Sequence, residues 1–430
     1  MAPVYFLAQG SPYVPALIIL LLNALGTFTV FFIGKNIYNE KIGLWTAFLY
    51  AISFEQTQYA LFFSHPGMAL PFVLLYYLGL SLLVFKNNSK GLILSAFCAG
   101  IATQFHFSLI ILVILLPFFA LAFKPKIRKI KIKDFSFAII ALAISMSTFI
   151  VAELKFKQIF SFITTLGQSD GSSFSLHSDN FLHAVNRYIN DNVVIVYWSP
   201  IISLLIITFS FWYLYKKGKK ATAFLLIWFL IGCIAYLTGS ATTYYYGIGG
   251  SVSLLIVVAF GLTQIWLRNK NFAAVLLFII IASNLFQITT INPKGPIDSV
   301  MAPPGLLLTD EQRAIDFIYQ TAGDEKFSIH GLTIPFNVKS TWDYLFNWYG
   351  MKEYGFVPVW GGEDALGSEG TLKVVRARSE LPSKQFLIIE PLVGLPDKFV
   401  KDFFQEESYF TNLISEEKFG AITVQVRKKY

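Results

Sequence analysis

Between residues 13 and 292 the chain repeatedly presents apolar runs of about 20 residues, the length a helix needs to cross a bilayer. The runs are 13–34 (YVPALIILLLNALGTFTVFFIG), 42–63, 67–85, 134–154, 193–215, 221–238, 244–267 and 272–292. A longer stretch, 91–123, is interrupted by Gln104 and His106 and has the length to cross and return as two short helices. Read so, the chain has ten membrane segments, and every second turn is basic: Lys35 and Lys41; Lys86 and Lys90; KPKIRKIKIK at 124–133; KKGKK at 216–220; Arg268 and Lys270. These turns hold 16 cations, against Lys155, Lys157 and Arg187 in the intervening ones. Cytoplasmic loops carry the excess of Lys and Arg, so the basic turns are placed in the cytoplasm and everything after 292 outside. The same phase puts residues 1–12 outside, which leads us to expect a preceding segment or a start upstream of Met1. The first run is too long for a signal peptide and lacks a cationic flank and a cleavage signal.

Composition closes off the soluble alternatives. Of 430 residues 55% are hydrophobic and 14% charged, with a mean hydropathy of +0.58, whereas soluble domains carry about 25% charged residues. The net charge of +8 resides largely in the basic turns, so the run at 124–133 reads as a topology anchor and no nucleic-acid partner is expected. Two cysteines exclude a disulfide scaffold and a Cys-rich zinc module. No G-x-G-x-x-G, Walker loop, H-E-x-x-H or G-x-S-x-G is present, so a nucleotide donor is not expected. His177 and His183 stand six apart, poor spacing for a metal; no cofactor or metal ligand set is expected, and a divalent metal is left open.

Two parts of the chain are predicted to face outward. In 155–192, a Gly/Ser stretch (167–173) precedes SDNFLHAVNRYIND, where Phe181, Leu182, Val185, Tyr188 and Ile189 form one apolar helical face and His183, Asn186, Arg187 and Asn190 the other. That helix reads either as lying along the bilayer interface or as plain surface packing. Residues 293–430 hold 19 of the 26 acidic residues and read as a soluble extracytoplasmic α/β domain, set against a multi-pass membrane domain at 1–292. Here Thr309-Asp310-Glu311-Gln312 is a capping box opening a helix near 310–321. Segments 326–332 and 385–391 read as strands, 340–350 as a helix, and Pro396 as the start of another through about Gln405. The end alternates around Phe419-Gly420 as a hairpin. The aromatic residues Trp342, Tyr344, Phe346, Trp348, Tyr349 and Trp360 suit sugar faces, the bilayer surface or ordinary core packing.

Ionisable groups inside a bilayer are costly and default to functional candidates. Glu55, in AISFEQTQY, is the one acidic side chain well inside a run; it suits an acid–base role or structural hydrogen bonding. His65, Gln104, His106, Tyr244, Tyr245 and Tyr246 all fall at the membrane face opposite the basic turns. An outward polar cavity in an apolar chain suits a lipid-linked substrate, whose tail stays in the bilayer while its head reaches the polar groups. Lys155, Lys157 and Arg187 suit a phosphate there, or simple snorkelling to the interface.

Residues 23–85, with the short basic turn GKNIYNEKIG, the helix start AFLYAIS and the outer turn FFSHPGMALPF, together with GIATQFHFSLIILVILLPFFAL, resemble the membrane core of GT-C glycosyltransferases. The likeness is to the protein-mannosyltransferase-like family 39, the aminoarabinose transferases and the Rgt-type sugar transferases, over roughly residues 3–290. It implies transfer of a hexosyl- or pentosyl-type sugar from a polyprenyl-phosphate donor to a glycan, lipid or protein acceptor outside the plasma (inner) membrane. The family places an acidic general base in its first external loop, which here would precede Met1; its second acidic position falls near Gly67-Met68, where there is no acid. The resemblance therefore implies an N-terminally incomplete enzyme, an inactive remnant, or a chain in which Glu55 substitutes as catalytic carboxylate. A lipid or polysaccharide transporter or flippase is the rival class, though no internal repeat is found.

Overall fold

The computed structural model describes residues 2–123, 132–157, 177–195, 199–237, 244, 246–297, 305–334, 336, 338–362, 370–392 and 395–430. The chain divides into two compact units, one of residues 16–290 and one in which residues 1–15 join 291–430. Most of the basic run 124–133 and all of the Gly/Ser stretch 167–173 lie outside the described residues.

In chain order the helices up to residue 290 are α1 (Ala2–Leu7), α2 (Tyr13–Ile37), α3 (Glu40–Ile52), α4 (Phe54–Leu61), α5 (His65–Lys86), α6 (Lys90–Phe105) and α7 (Ile110–Ala122). They continue with α8 (Ile132–Ser145), α9 (Ser147–Phe156), α10 (Ser178–Asn192), α11 (Pro200–Lys217), α12 (Lys219–Leu237), α13 (Gly250–Arg268) and α14 (Lys270–Thr290). Among the described residues five helices are long and apolar enough to cross a membrane, namely α2, α5, α12, α13 and α14. The pair α8–α9 makes a sixth if its 63° bend is one broken span. The stretch 91–123 forms two short helices, α6 and α7, as expected, whereas the run 42–63 is divided into α3 and α4. Large apolar side chains such as Leu25, Phe28, Ile144, Phe209 and Phe278 face outward on several of these helices, the surface a hydrocarbon solvent tolerates and water does not.

The run 42–63 breaks at Ser53, whose backbone is extended (φ −68°, ψ 127°). Ser53 Oγ accepts from the Gln56 amide, and the Phe54 N–H donates to Asn284 Oδ1 of α14 at 2.9 Å. Side chains thus take up two of the backbone donors that the break releases, as an interrupted helix in hydrocarbon requires. Where α12 crosses α13, a side chain on Gly232 would meet the Gly250 Cα, so both positions need glycine for the backbones to approach.

The amphipathic helix predicted from 178–192 forms as α10, but neither as an interfacial helix nor with its polar face turned out. Ala184, Val185, Tyr188 and Ile189 are buried, and Asn186 on the other face accepts from Ser203 of α11 at 2.6 Å. Amphipathic spacing marks which residues seek apolar neighbours without saying whether protein or lipid supplies them.

Among the described residues the basic turns meet in two pairs. Lys220 Nζ at the start of α12 donates to the Val84 carbonyl near the end of α5 at 2.6 Å, and Trp45 of α3 meets Trp266 near the end of α13 at 6.1 Å between ring centres. At the opposite ends of the helices Phe72 stacks on Phe105 at 5.7 Å and His106 meets Tyr246 at 5.6 Å.

The second unit is built around a six-stranded sheet. Its elements are α15 (Leu308–Ala322), β1 (Phe327–Leu332), α16 (Ser340–Leu345), a π-helix (Phe346–Gly350), α17 (Met351–Tyr354), β2 (Val359–Gly361), β3 (Val374–Val375), β4 (Lys384–Ile389), α18 (Asp397–Phe410), β5 (Thr411–Phe419) and β6 (Ile422–Lys429). The strand order is β3-β2-β1-β4-β6-β5. The first four strands pair in parallel and β4–β6–β5 antiparallel, with His330 opposite Leu387 and Phe386 opposite Val426. Alternate residues of β1 and β4 point to opposite faces. Phe327, Ile329, Phe386 and Ile388 pack with Ile315, Ile318, Trp342 and Phe346, whereas Leu332, Leu387 and Ile389 pack with Phe403 of α18. Burial on both faces explains the continuous apolar runs. The capping box at Thr309 does not form, because the helix opens earlier with Leu307 at the cap and no side-chain bond there.

Part of the charge buried in this unit is held in direct pairs. Lys339 Nζ lies 3.4 Å from Asp343, whose carboxylate also accepts from the Thr371 and Leu372 amides at 2.8 and 2.9 Å. Glu407 accepts from His330 at 2.8 Å and from Arg378 at 2.5 Å. Burial raises the Glu407 carboxyl, but the bonds and charges of His330 and Arg378 outweigh it and hold it down to about 2. Glu311 is pushed the other way, up to about 7, by burial first and then by the neighbouring Glu390 and Asp310 carboxylates. Glu390 is also raised by burial, against donors from Ile334 and Trp342.

Candidate functional site

Two polar groupings stand in the helical unit. The deeper one begins at the Ser53 break. There Glu55 falls in the first turn of α4, where the helix dipole favours an anion, and it is fully buried. Asn192 at the end of α10 donates from Nδ2 to Glu55 Oε2, while its Oδ1 accepts from Ser53 Oγ at 2.8 Å. Asn284 Nδ2 returns to the Asn192 and Val193 carbonyls at 3.4 and 3.3 Å, and Gln287 donates to Asn190 O at 2.9 Å. One helical turn before Asp191, Arg187 donates from Nη2 to Tyr236 Oη at 3.0 Å. Its guanidinium lies 5.5, 5.6 and 4.7 Å from the ring centres of Tyr188, Tyr236 and Tyr244, a cation held on aromatic faces. Tyr244 in turn donates to Asp191 Oδ2 at 2.8 Å. One cation and two carboxylates are thus linked through tyrosines and amides, and Arg187 and Glu55 act on each other electrostatically.

The second grouping is the rim formed where α6 ends. His106 caps that helix, bonds Ser108 Oγ through Nδ1 at 2.5 Å, and sets its ring edge-on to Tyr246. His65, at the start of α5, is near enough for its charge to act on His106. Gln104 donates to Ser145 O at 2.9 Å and accepts from Thr148 at 2.6 Å, tying α6 to the α8–α9 bend.

The candidates read from sequence therefore divide. Glu55, Arg187 and Tyr244 come together in the buried cluster, and His65, Gln104, His106 and Tyr246 stand at or beside the rim. Lys155 and Lys157 are exposed at the end of α9, Lys155 with its ammonium 4.9 Å from the Phe156 ring centre. Among the described residues no hydrogen bond or ion pair joins these lysines to either grouping. Tyr245 lies outside the described residues. Arg187, read as a phosphate partner or a snorkelling cation, is instead partly buried among tyrosine rings. The sequence reading did not single out Asp191, Asn192, Tyr236 or Asn284. The signal available was a polar residue stranded in an apolar run, as Asn284 and Gln287 are within 272–292. Among the described residues no group of three or more His, Cys, Asp or Glu side chains is placed to hold a metal.

Residues 7–152 match the family model for dolichyl-phosphate-mannose-protein mannosyltransferases. Among solved structures, ArnT from Cupriavidus metallidurans bound to undecaprenyl phosphate superposes with a TM-score of 0.60 at 10% identity, covering 98% of this chain and 85% of ArnT. The apo state of the same protein gives 0.55 at 10% identity with the same coverage. No curated protein matches the sequence. The chain is GT-C-like, as its motifs imply. More particularly, its N-terminal third is protein-mannosyltransferase-like and its fold is ArnT-like over nearly its whole length.

Proposed function

We propose that this chain is an integral-membrane glycosyltransferase that moves a sugar from a polyprenyl-phosphate donor to an acceptor at the rim bearing His65, His106 and Tyr246. In this reading the rim is the extracytoplasmic face of the plasma membrane. The observation that supports it most is the separation of the two ends of the bundle: cationic turns at one, and histidine, glutamine and tyrosine side chains from distant segments at the other. A fold like that of a protein solved with undecaprenyl phosphate adds to it.

In the reaction the acceptor hydroxyl oxygen attacks the anomeric carbon, and the bond from that carbon to the phosphate oxygen breaks with its electron pair leaving on the lipid phosphate. The hydroxyl proton passes to a base. Lys155 and Lys157 hold the charge that develops on the phosphate, and Gln104 and His106 contact the sugar. Glu55, enclosed and bonded to Asn192, acts as a positioning residue that neutralises Arg187 and fixes α4 against α10.

The test is turnover of a radiolabelled polyprenyl-phosphate sugar by the full chain in bilayer discs. Replacing both Lys155 and Lys157 by alanine is expected to weaken donor binding roughly tenfold, the scale of one to two charge-assisted bonds. Glu55→Gln is expected to retain most turnover. A loss beyond a hundredfold in a folded Glu55→Gln protein makes Glu55 the catalytic base. Transbilayer movement of the lipid without cleavage replaces the enzyme with a transporter.

A further inference from the structure

The aromatic residues that stand together in the C-terminal sequence do two different things. Trp342, Phe346 and Trp360 are wholly buried against the sheet. Tyr344 and Trp348 are only partly covered and line a cavity of about 470 Å³ with Gln9, Gly10, Asn347 and Lys352, all within the unit formed by residues 1–15 and 291–430. We propose that this cavity is a saccharide subsite, taking a pyranose ring of the acceptor glycan. The proposal rests on the glycosyltransferase reading for its acceptor and on the cavity for its chemistry.

The two rings lie nearly parallel, 8° apart with centres at 6.1 Å, and each has a further aromatic contact. Tyr5 and Tyr344 meet edge to face at 6.3 Å, Tyr13 and Trp348 at 6.0 Å, and Tyr344 donates its hydroxyl proton to the Gly10 carbonyl. Aromatic groups immobilised in this way lose little entropy on contact with a ligand. A pyranose has an apolar C–H face that packs on such a ring and a rim of hydroxyls that needs donors and acceptors. The cavity supplies both. Asn347 spends its Nδ2 on Asp343 at 2.7 and 2.9 Å, which fixes the amide and leaves Oδ1 as an acceptor. Gln9 adds a second amide, from a residue held at φ 51°, and the exposed Lys352, its ammonium 3.8 Å from Glu353 in a solvent-exposed pair worth little, adds a cation that favours acidic sugars.

The backbone beneath the cavity is also unusual. Asn347 and Trp348 lie in the π-helix Phe346–Gly350, a rare geometry that recurs at functional sites. The rings share the lining with two amides and an ammonium, and Phe6, Leu7 and Met351, close by in the sequence, are exposed.

The experiment is saturation-transfer NMR on the full chain in bilayer discs, with chitotriose as neutral probe and trigalacturonate as acidic probe. Transfer is expected to the C–H protons of one sugar face. Trp348→Ala should weaken it roughly tenfold or more, the effect of removing a central aromatic anchor, and Trp348→Phe should keep most of it. Lys352→Met should reduce the trigalacturonate signal and spare chitotriose. No transfer from either probe, or transfer unchanged in Trp348→Ala, overturns the subsite, as does aromatic contact confined to lipid acyl protons. Should Trp348→Ala fail to fold, unchanged contact in both Asn347→Ala and Lys352→Met overturns it equally. Polyprenyl phosphate binding is measured on the same sample. Lipid binding without saccharide contact removes the subsite alone, and saccharide contact without lipid binding removes the transferase reading alone.

Discussion

Both units of this chain bury charge, and among the described residues only the sheet unit does so partly through direct ion pairs. These are Lys339 with Asp343 at 3.4 Å, and Glu407 with His330 and Arg378 at 2.8 and 2.5 Å, beside a Glu390 held by the neutral donors of Ile334 and Trp342. In the helical unit Arg187 meets tyrosine rings and a phenol oxygen, and the carboxylates of Glu55 and Asp191 are reached through Asn192 and Tyr244. A globule in water has solvent close at hand to complete the shells of its ions. A bundle whose outer surface is apolar must supply every donor and acceptor from its own helices, and neutral amides and phenols do this without importing further charge.

The sharpest way to break that contrast is Arg187→Met. It leaves two buried carboxylates without their cation and is expected to cost about 3–5 kcal/mol, read as thermal unfolding of the full chain in detergent. Adding Glu55→Gln and Asp191→Asn should recover more than half of the loss, and an Arg187→Met protein as stable as the parent would dissolve the distinction. The next largest effect belongs to Glu407. Its folded value of about 2 lies below the ordinary 4.5, so its stabilisation is complete above pH 4.5 and is lost as pH falls toward 2. By linkage this amounts to as much as about 3 kcal/mol. Glu407→Gln should therefore speed hydrogen exchange in β1 and α18 at pH 7 and change it far less near pH 2. Glu311, raised to about 7, works in the opposite sense, drawing stability down as pH rises from 4.5 to 7. The smallest effect sharpens the packing side. Gly232→Ala forces α12 away from Gly250 and should cost about 1–3 kcal/mol, while an alanine at Gly261, which has open space around its Cβ position, should be close to neutral in the same melt.

What the sequence makes legible follows from the range of the forces involved. β1, β4, α15 and the β5–β6 hairpin stand where local pattern places them, because alternation and turn residues act over a few positions. The end of α18 does not, since it runs on to Phe410, beyond the predicted Gln405. The break at Ser53 is invisible locally. Its partners Asn192 and Asn284 are 139 and 230 residues away from the groups they bond, and nothing within 42–63 announces them. The polar rim is half legible: His65 and His106 are visible as residues stranded at the ends of apolar runs, but the tie from Gln104 to Thr148 depends on the α8–α9 bend. The aromatic residues of 342–360 show the same limit, since composition groups Trp342 with Trp348 and only the sheet separates core from cavity.

The interrupted helix at Ser53 also bears on how the chain is put together. Its Phe54 amide is received by Asn284, on the last helix of the bundle to be synthesised. Until that helix enters the bilayer, an opened turn at Ser53 would leave a backbone donor facing hydrocarbon at a cost of several kcal/mol. The break at Ser53, and with it the enclosed Glu55 cluster, is therefore complete only once Asn284 is in place.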